Sequence, residues 1–234
     1  MLELWVAWAL AGVTVERETV VALPAEPGFA PTTAKAIDLC QGPRCLHRTE
    51  PVGVFPALEI LVDLDRHEGW VIDRARNECA PLDGWEPADR LWGVDITGLD
   101  PKDVSPIFVP ATPTGPRPAL AGPKATVWVS DTATKRLTVW VDPDQPLGAA
   151  DFARRTAARM RDPEEPVNQR ILAALRALPG YPLEVRSGVP YRAGASTDVT
   201  VRVTRIEETP IEPALLELPS GCAMLPDAQP LLLR

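Results

Sequence analysis

Histidine is nearly missing from this chain: His47 and His67 are the only two among 234 residues. Nucleophilic and acid–base sites usually lean on an imidazole, so few of them can be built here. There is no G-x-S-x-G elbow, no H-E-x-x-H pair and no glycine-rich phosphate loop leading into a helix. The chain is read as not an enzyme, with no catalytic residue and no cofactor assigned. An excess of positive charge is missing too. The net charge is −8, whereas a phosphate backbone calls for a basic patch, so no nucleic-acid partner is expected. No apolar run reaches the ~18 residues that a membrane-crossing helix needs.

Proline, by contrast, is abundant. The 27 prolines recur along most of the chain, which favours strands and loops over long helices. Apolar residues make up 45%, enough for a sizeable core. Residues 4–11 are apolar and end in Ala9-Leu10-Ala11, a small-x-small pattern before Gly12. That pattern is like the end of a secretory signal, although no Lys or Arg precedes it and the run is short. Residues 1–11 are read as the remnant of a signal segment, with an ordinary first strand as the alternative. A periplasmic or otherwise exported protein is expected.

The four cysteines, Cys40, Cys45, Cys79 and Cys222, suit two disulfides in an oxidising compartment. Of three connectivities, Cys40–Cys45 with Cys79–Cys222 is preferred. The first pair brackets the tight turn "QGPR". The second ties the C-terminus back across most of the chain and would contribute about 2–4 kcal/mol. Cys40, Cys45, His47 and Cys79 could instead ligate zinc. Zinc sites use two close cysteine or histidine pairs, whereas one pair is close here and a cysteine is left over. No metal is assigned.

Period-two alternation is the strongest pattern. In "ALEILVDLD" (57–65), Leu58, Ile60, Val62 and Leu64 share one face, and Glu59, Asp63 and Asp65 the other. "EGWVID" (68–73) follows, with Trp70 and Ile72 on one face. Strands are also predicted over 12–22, 125–131, 136–142, 182–188 and 196–208, the last carrying Val199, Val201 and Val203 in alternation. In the 125–142 hairpin, Val127, Val129, Leu137, Val139 and Val141 fall on one parity of their strands, and Trp128 and Trp140 on the other. Both faces of that hairpin are therefore apolar, and something must cover the second.

Two amphipathic helices are predicted as that cover. Residues 149–161 put Phe152 and Met160 on one stripe. Residues 164–180 begin with Pro166 in a first-turn position and bury Val167, Ile171, Leu175 and Leu178. From 149 to 178 six Arg face two Asp and two Glu. This is read as a solvated face, with contact to an acidic partner or anionic head groups as the sharper alternative. Residues 98–124 hold seven prolines and no periodicity, as a long loop would. Residues 223–234 are expected to be a loosely held tail.

The set Asp63, Asp65 and His67 stands at i, i+2, i+4, which on a strand is one face and a legal metal arrangement. The opposite parity, Leu58 to Leu64, claims the core. The aspartates are accordingly placed on the solvent side and "RHEG" is read as a turn.

The order of segments from 125 to 222 resembles the C-terminal half of LolA-like domains. Two strands, "VWVSD" and "VWVD", precede a helical insertion. "GYPLEV" follows the family pattern G-x-P-L-x-V, and "VTRIEETPI" follows V-x-x-I-x-x-x-x-I. "LELPSG" follows F-x-x-P-x-G, with Leu216 in place of the aromatic. Residues 59–82 resemble the family's middle hairpin. The resemblance covers most of 12–222 and implies a single domain of α+β, mainly β, class. It would be a strongly curved antiparallel sheet, an open half-barrel, covered by two short helices. It further implies a carrier or binding module for a lipid or lipoprotein acyl chain. A structural or interaction protein of the cell envelope, with a self-filled core, is the alternative. The candidate cavity wall is Leu58, Ile60, Val62, Trp70 and Ile72; Val127, Trp128, Val139 and Trp140; Phe152, Met160, Ile171 and Leu175; and Val199, Val201 and Val203.

Overall fold

The alternating segments do become strands, and they join edge to edge. The computed structural model describes residues 12–22, 30–51, 57–66, 68–82, 108–131, 136–157, 164–192 and 195–232. Its strands are β1 (Gly12–Ala22), β2 (Thr32–Gln41), β3 (Arg44–Thr49), β4 (Leu58–Asp63), β5 (Glu68–Asp73), β6 (Glu78–Pro81), β7 (Val109–Ala111), β8 (Thr126–Asp131), β9 (Arg136–Asp142), β10 (Tyr181–Arg192), β11 (Ala195–Thr209) and β12 (Ala223–Met224). They form one open sheet of 12 strands in the order β12-β6-β5-β4-β3-β2-β1-β11-β10-β9-β8-β7. Helices α1 (Ala149–Ala157) and α2 (Pro166–Arg176) follow β9, and a single turn, α3 (Gln229–Leu232), ends the chain. The signal reading of 1–11, Met160, His67 and residues 98–107 lie outside the described residues.

Local chemistry explains the boundaries. Gly42 takes φ +57° in the two-residue turn between β2 and β3, a conformation that a side chain would resist. Cys40 and Cys45 then stand directly opposite each other and are bonded. Pro166 opens α2 at its first turn, as predicted. Gly180 precedes β10 because a Cβ there would lie 2.4 Å from the Asp142 carbonyl.

The register defines two faces. Val15, Asp38, His47, Ile60, Val71 and Ala80 stand in line across β1 to β6. This is the helix face. At one end of it Val139, Val141 and Val185 pack under Ile171, Leu172 and Leu175 of α2. At the other, Ile60, Val62 and Val71 pack against Ala228 and Leu231 of the C-terminal segment. Phe152 of α1 meets Tyr181 of β10 edge-on, with ring centroids 5.8 Å apart. Along the strand order, β4 and β10 are five spacings apart, about 24 Å if the sheet were flat. Arg154 of α1 nevertheless pairs with Asp65 in the β4–β5 turn. The sheet closes that distance by curling around the helices.

The outer face is apolar as well. Leu46, Leu61, Ile72 and Cys79 are covered there by Ile211 and Leu216, from the stretch around a 3-10 turn (Pro213–Leu216). Beyond Cys222, where a loose tail is expected, the chain instead lies along the sheet edge as β12 and buries Ala228 and Leu231. β12 pairs with β6 in parallel, so the sheet is mixed rather than wholly antiparallel. A strand arriving from a distant part of the chain needs no hairpin and can take either direction. The described part of the Pro-rich segment is docked too. Val109–Ala111 extend the sheet beside β8, and Leu120 packs near Val15 and Leu183.

Asp142 anchors that segment. It is fully buried. Burial alone would raise its carboxyl, but hydrogen bonds from the N–H groups of Asp144 and Gly122 and from the Gln145 amide outweigh it. With the charge of Arg117, they hold it below its ordinary 3.8. The unfolded chain therefore takes up the proton first, and this stabilisation is full above 3.8 and lost as the pH falls below it. The urea midpoint should drop between about pH 5 and 3, and Asp142→Asn, already less stable at pH 7, should show a shallower drop. Leu172→Ala, at a wholly buried position, should cost about 3 kcal/mol in urea unfolding. A cost under about 1 kcal/mol would mean that the helices do not pack tightly on the sheet.

Candidate functional site

The residues expected to wall one cavity divide between the two faces. Leu58, Ile60 and Val62 belong to the helix-face cluster beside α3. Trp128, Val139, Phe152, Ile171 and Leu175 lie in the cluster under α1 and α2. Val199, Val201 and Val203 continue that face by register. Trp70 and Ile72 are on the outer face beside the 3-10 turn, and Val127 and Trp140 are there at the far end. Val127 stands opposite Trp140 and Trp128 opposite Val139, so each face of the hairpin receives one tryptophan. Among the described residues under the helices, Ile171, Leu172 and Leu175 are 0–2% exposed, so the space around them is filled.

A cavity does open at the other end of the sheet. It measures about 590 Å³ and lies where β3 ends, β4 begins and β5 ends. Leu58, Val71, Ile72 and Leu231 supply its apolar floor, and Arg48, Glu59, Arg74 and Arg76 its polar rim. Glu59 accepts Arg48 Nε at 2.8 Å on one oxygen and Arg74 Nε at 2.6 Å on the other. Arg74 Nη2 also donates to the Leu215 carbonyl, 3.2 Å away on the 3-10 turn. Arg76 is held by Asp73. The C-terminal segment thus contributes one wall and one anchor. Leu58 and Ile72 are the sequence candidates that line this cavity. Arg48 and Arg74 were missed because charged residues at strand ends look solvated. A second cavity of about 300 Å³ lies under the 3-10 turn, between Arg44, Leu61, Trp70 and Leu218.

The reading of Asp63 needs correcting, whereas Asp65 is exposed as expected. Asp63 is buried rather than on the solvent side, because the C-terminal segment covers that face. Its carboxylate accepts the N–H groups of Asp65 and Arg66, both at 3.1 Å, and caps its own turn. Asp65 pairs with Arg154. Among the described residues no group of three His, Cys, Asp or Glu could hold a metal. All four cysteines are in disulfides, Cys40–Cys45 and Cys79–Cys222, so they supply no zinc ligand.

Sequence reasoning also missed a buried ionic cluster on the helix face. Asp38 Oδ2 lies 2.6 Å from Arg17 Nη2, and Asp38 Oδ1 lies 2.7 Å from His47 Nδ1. The three residues come from β1, β2 and β3 and meet only through the register. The retrievable signal was parity: Asp38 and His47 share the faces of Cys40 and Cys45.

No family model matches the chain, and no curated protein matches it. Solved structures do. An uncharacterized conserved protein from Thermus thermophilus is similar over 93% of this chain and 91% of its own, at 10% identity and a TM-score of 0.41. A LolA superfamily protein from Nitrosomonas europaea is similar over 89% and 90%, at 10% identity and a TM-score of 0.37. A DUF1329 family protein from Desulfovibrio piger is similar over 91% and 92%, at 9% identity and a TM-score of 0.39.

Because Cys79–Cys222 staples the segment that walls the larger cavity, Cys79→Ser with Cys222→Ser should lower stability by about 2–4 kcal/mol. Amide exchange should quicken first in 211–224, while α1 and α2 keep their protection.

Proposed function

We propose that this chain is an exported, non-catalytic carrier or binding module for an apolar ligand, such as a lipid or a lipoprotein acyl chain. The observation that carries the reading is the 590 Å³ cavity with its floor of Leu58, Val71, Ile72 and Leu231. Its volume falls in the range of small-molecule sites, about 300–1,000 Å³. The two disulfides support an oxidising compartment. The alternative, a structural or interaction protein of the envelope, draws on the filled space under α1 and α2. In that case the same core would serve only the fold.

Native mass spectrometry of the protein purified from the periplasm should show a lipid that organic extraction removes. The stripped protein should then take up a fluorescent fatty-acid probe. Ala57→Phe, at an exposed position on the cavity wall, should weaken uptake about tenfold with the urea midpoint unchanged. A clean apo mass together with no probe uptake would sink the carrier reading and leave the structural one.

A further inference from the structure

We infer that the larger cavity takes an anionic amphiphile and holds its oxyanion head, a carboxylate or phosphate, between Arg48 and Arg74. This rests on the binding reading above and names the ligand class of the same cavity. The first part of the argument is donor arithmetic. Among the described residues Glu59 is the only acidic partner of either arginine, and it engages both through Nε. A guanidinium has five N–H donors. Beyond Glu59, Arg74 Nη2 reaches the Leu215 carbonyl. Among the described residues, Glu59 and the Leu215 carbonyl are the acceptors that the two guanidiniums meet. Among the described residues, two guanidiniums and one carboxylate leave one positive charge in excess, since Arg76 pairs with Asp73.

The second part is orientation. A carboxylate gripping two guanidiniums by Nε fixes the plane of each, so their terminal forks are set before a ligand arrives. Such forks match planar or tetrahedral oxyanions. The two side chains are only 33% and 31% exposed, so an anion placed there is partly withdrawn from water and interacts more strongly than at an open surface.

The third part is what lies beside them. A similar arrangement occurs on the outer face, where Glu184 accepts Arg186 Nε at 2.6 Å and Arg202 Nε at 2.7 Å. Glu184 lines neither cavity and is itself 1% exposed, so that cluster serves the sheet. An Arg–Glu–Arg cluster alone therefore does not call for a ligand. The one at Glu59 lines the 590 Å³ cavity together with Ala57, Leu58, Val71, Ile72 and Leu231, so a chain lying in that cavity would set its head group beside the forks.

The test compares ligands of one chain length on the delipidated protein, by calorimetry at two salt concentrations. Dodecanoate and dodecyl phosphate should each bind on the order of tenfold more tightly than dodecanol, and added salt should narrow the gap. Inorganic phosphate should not bind at millimolar concentration. In Arg48→Gln with Arg74→Gln, dodecanoate should fall to the affinity of dodecanol while dodecanol keeps its own. Urea unfolding checks that the variant folds, and the wild-type comparison decides the matter if it does not. Equal binding of dodecanoate and dodecanol by the wild type would overturn the head-group assignment and leave the carrier reading standing. Phosphate binding as tightly as dodecyl phosphate would overturn the amphiphile and leave an anion site. No binding by any of the four would remove the carrier reading itself.

Discussion

A sheet that is apolar on both faces must be covered twice, and most of this structure follows from that need. Leaving either face in water would forgo about 25 cal/mol for every Å² of apolar surface. One end of the helix face is covered by the α1–α2 insertion between β9 and β10. The other end, and the outer face beside it, are covered by a single C-terminal segment. It places Ile211 and Leu216 outside, runs along the β6 edge as β12, and buries Ala228 and Leu231 inside. The Cys79–Cys222 bond sits at the crossing point. The same segment caps the sheet edge, where exposed backbone groups would invite pairing with another chain. At the opposite edge β7 is three residues long and contains Pro110, which limits pairing in the same way.

Covering both faces also buries charges, and each has to be matched. Asp38 is held between Arg17 and His47 on the helix face. Glu184 is held between Arg186 and Arg202 on the outer face. Taking such groups out of water costs several kcal/mol apiece, so they persist only where partners are already placed. The cross-strand register does the placing. It also separates the protein into a filled end, under the helices, and an end with open space, where strand ends and the C-terminal segment meet imperfectly. That open space, lined by both apolar and charged residues, is where function is sought.

The strands with clean alternation were legible: β1, β4, β5, β8, β9, β10 and β11 all fall where the pattern predicts, and so do α1 and α2. β2 and β3 were not, because "TTAKAIDLCQ" and "RCLHRT" mix charged and apolar residues on both parities. Asp38 and His47 break the pattern there because each is paired inside the sheet. The site was legible only in part. Leu58 and Ile72 carry the apolar signal, but Arg48, Glu59 and Arg74 read as ordinary surface charges until register and a distant carbonyl bring them together. Asp63 was misplaced for a similar reason. Its parity was read correctly as outer, yet outer did not mean solvent once the C-terminal segment lay across it.

The sequence by itself determined the fold class and the two covering helices, because those depend on local periodicity and proline placement. An even set of thiols called for two disulfides, but which cysteines pair was settled by the structure. The sequence also determined that both faces of the 125–142 hairpin need a cover. Only the tertiary structure decided what covers the rest, that the last strand joins in parallel, and where space remains. Those outcomes depend on contacts between residues more than a hundred positions apart, such as Arg74 with the Leu215 carbonyl, and no local pattern encodes such a meeting.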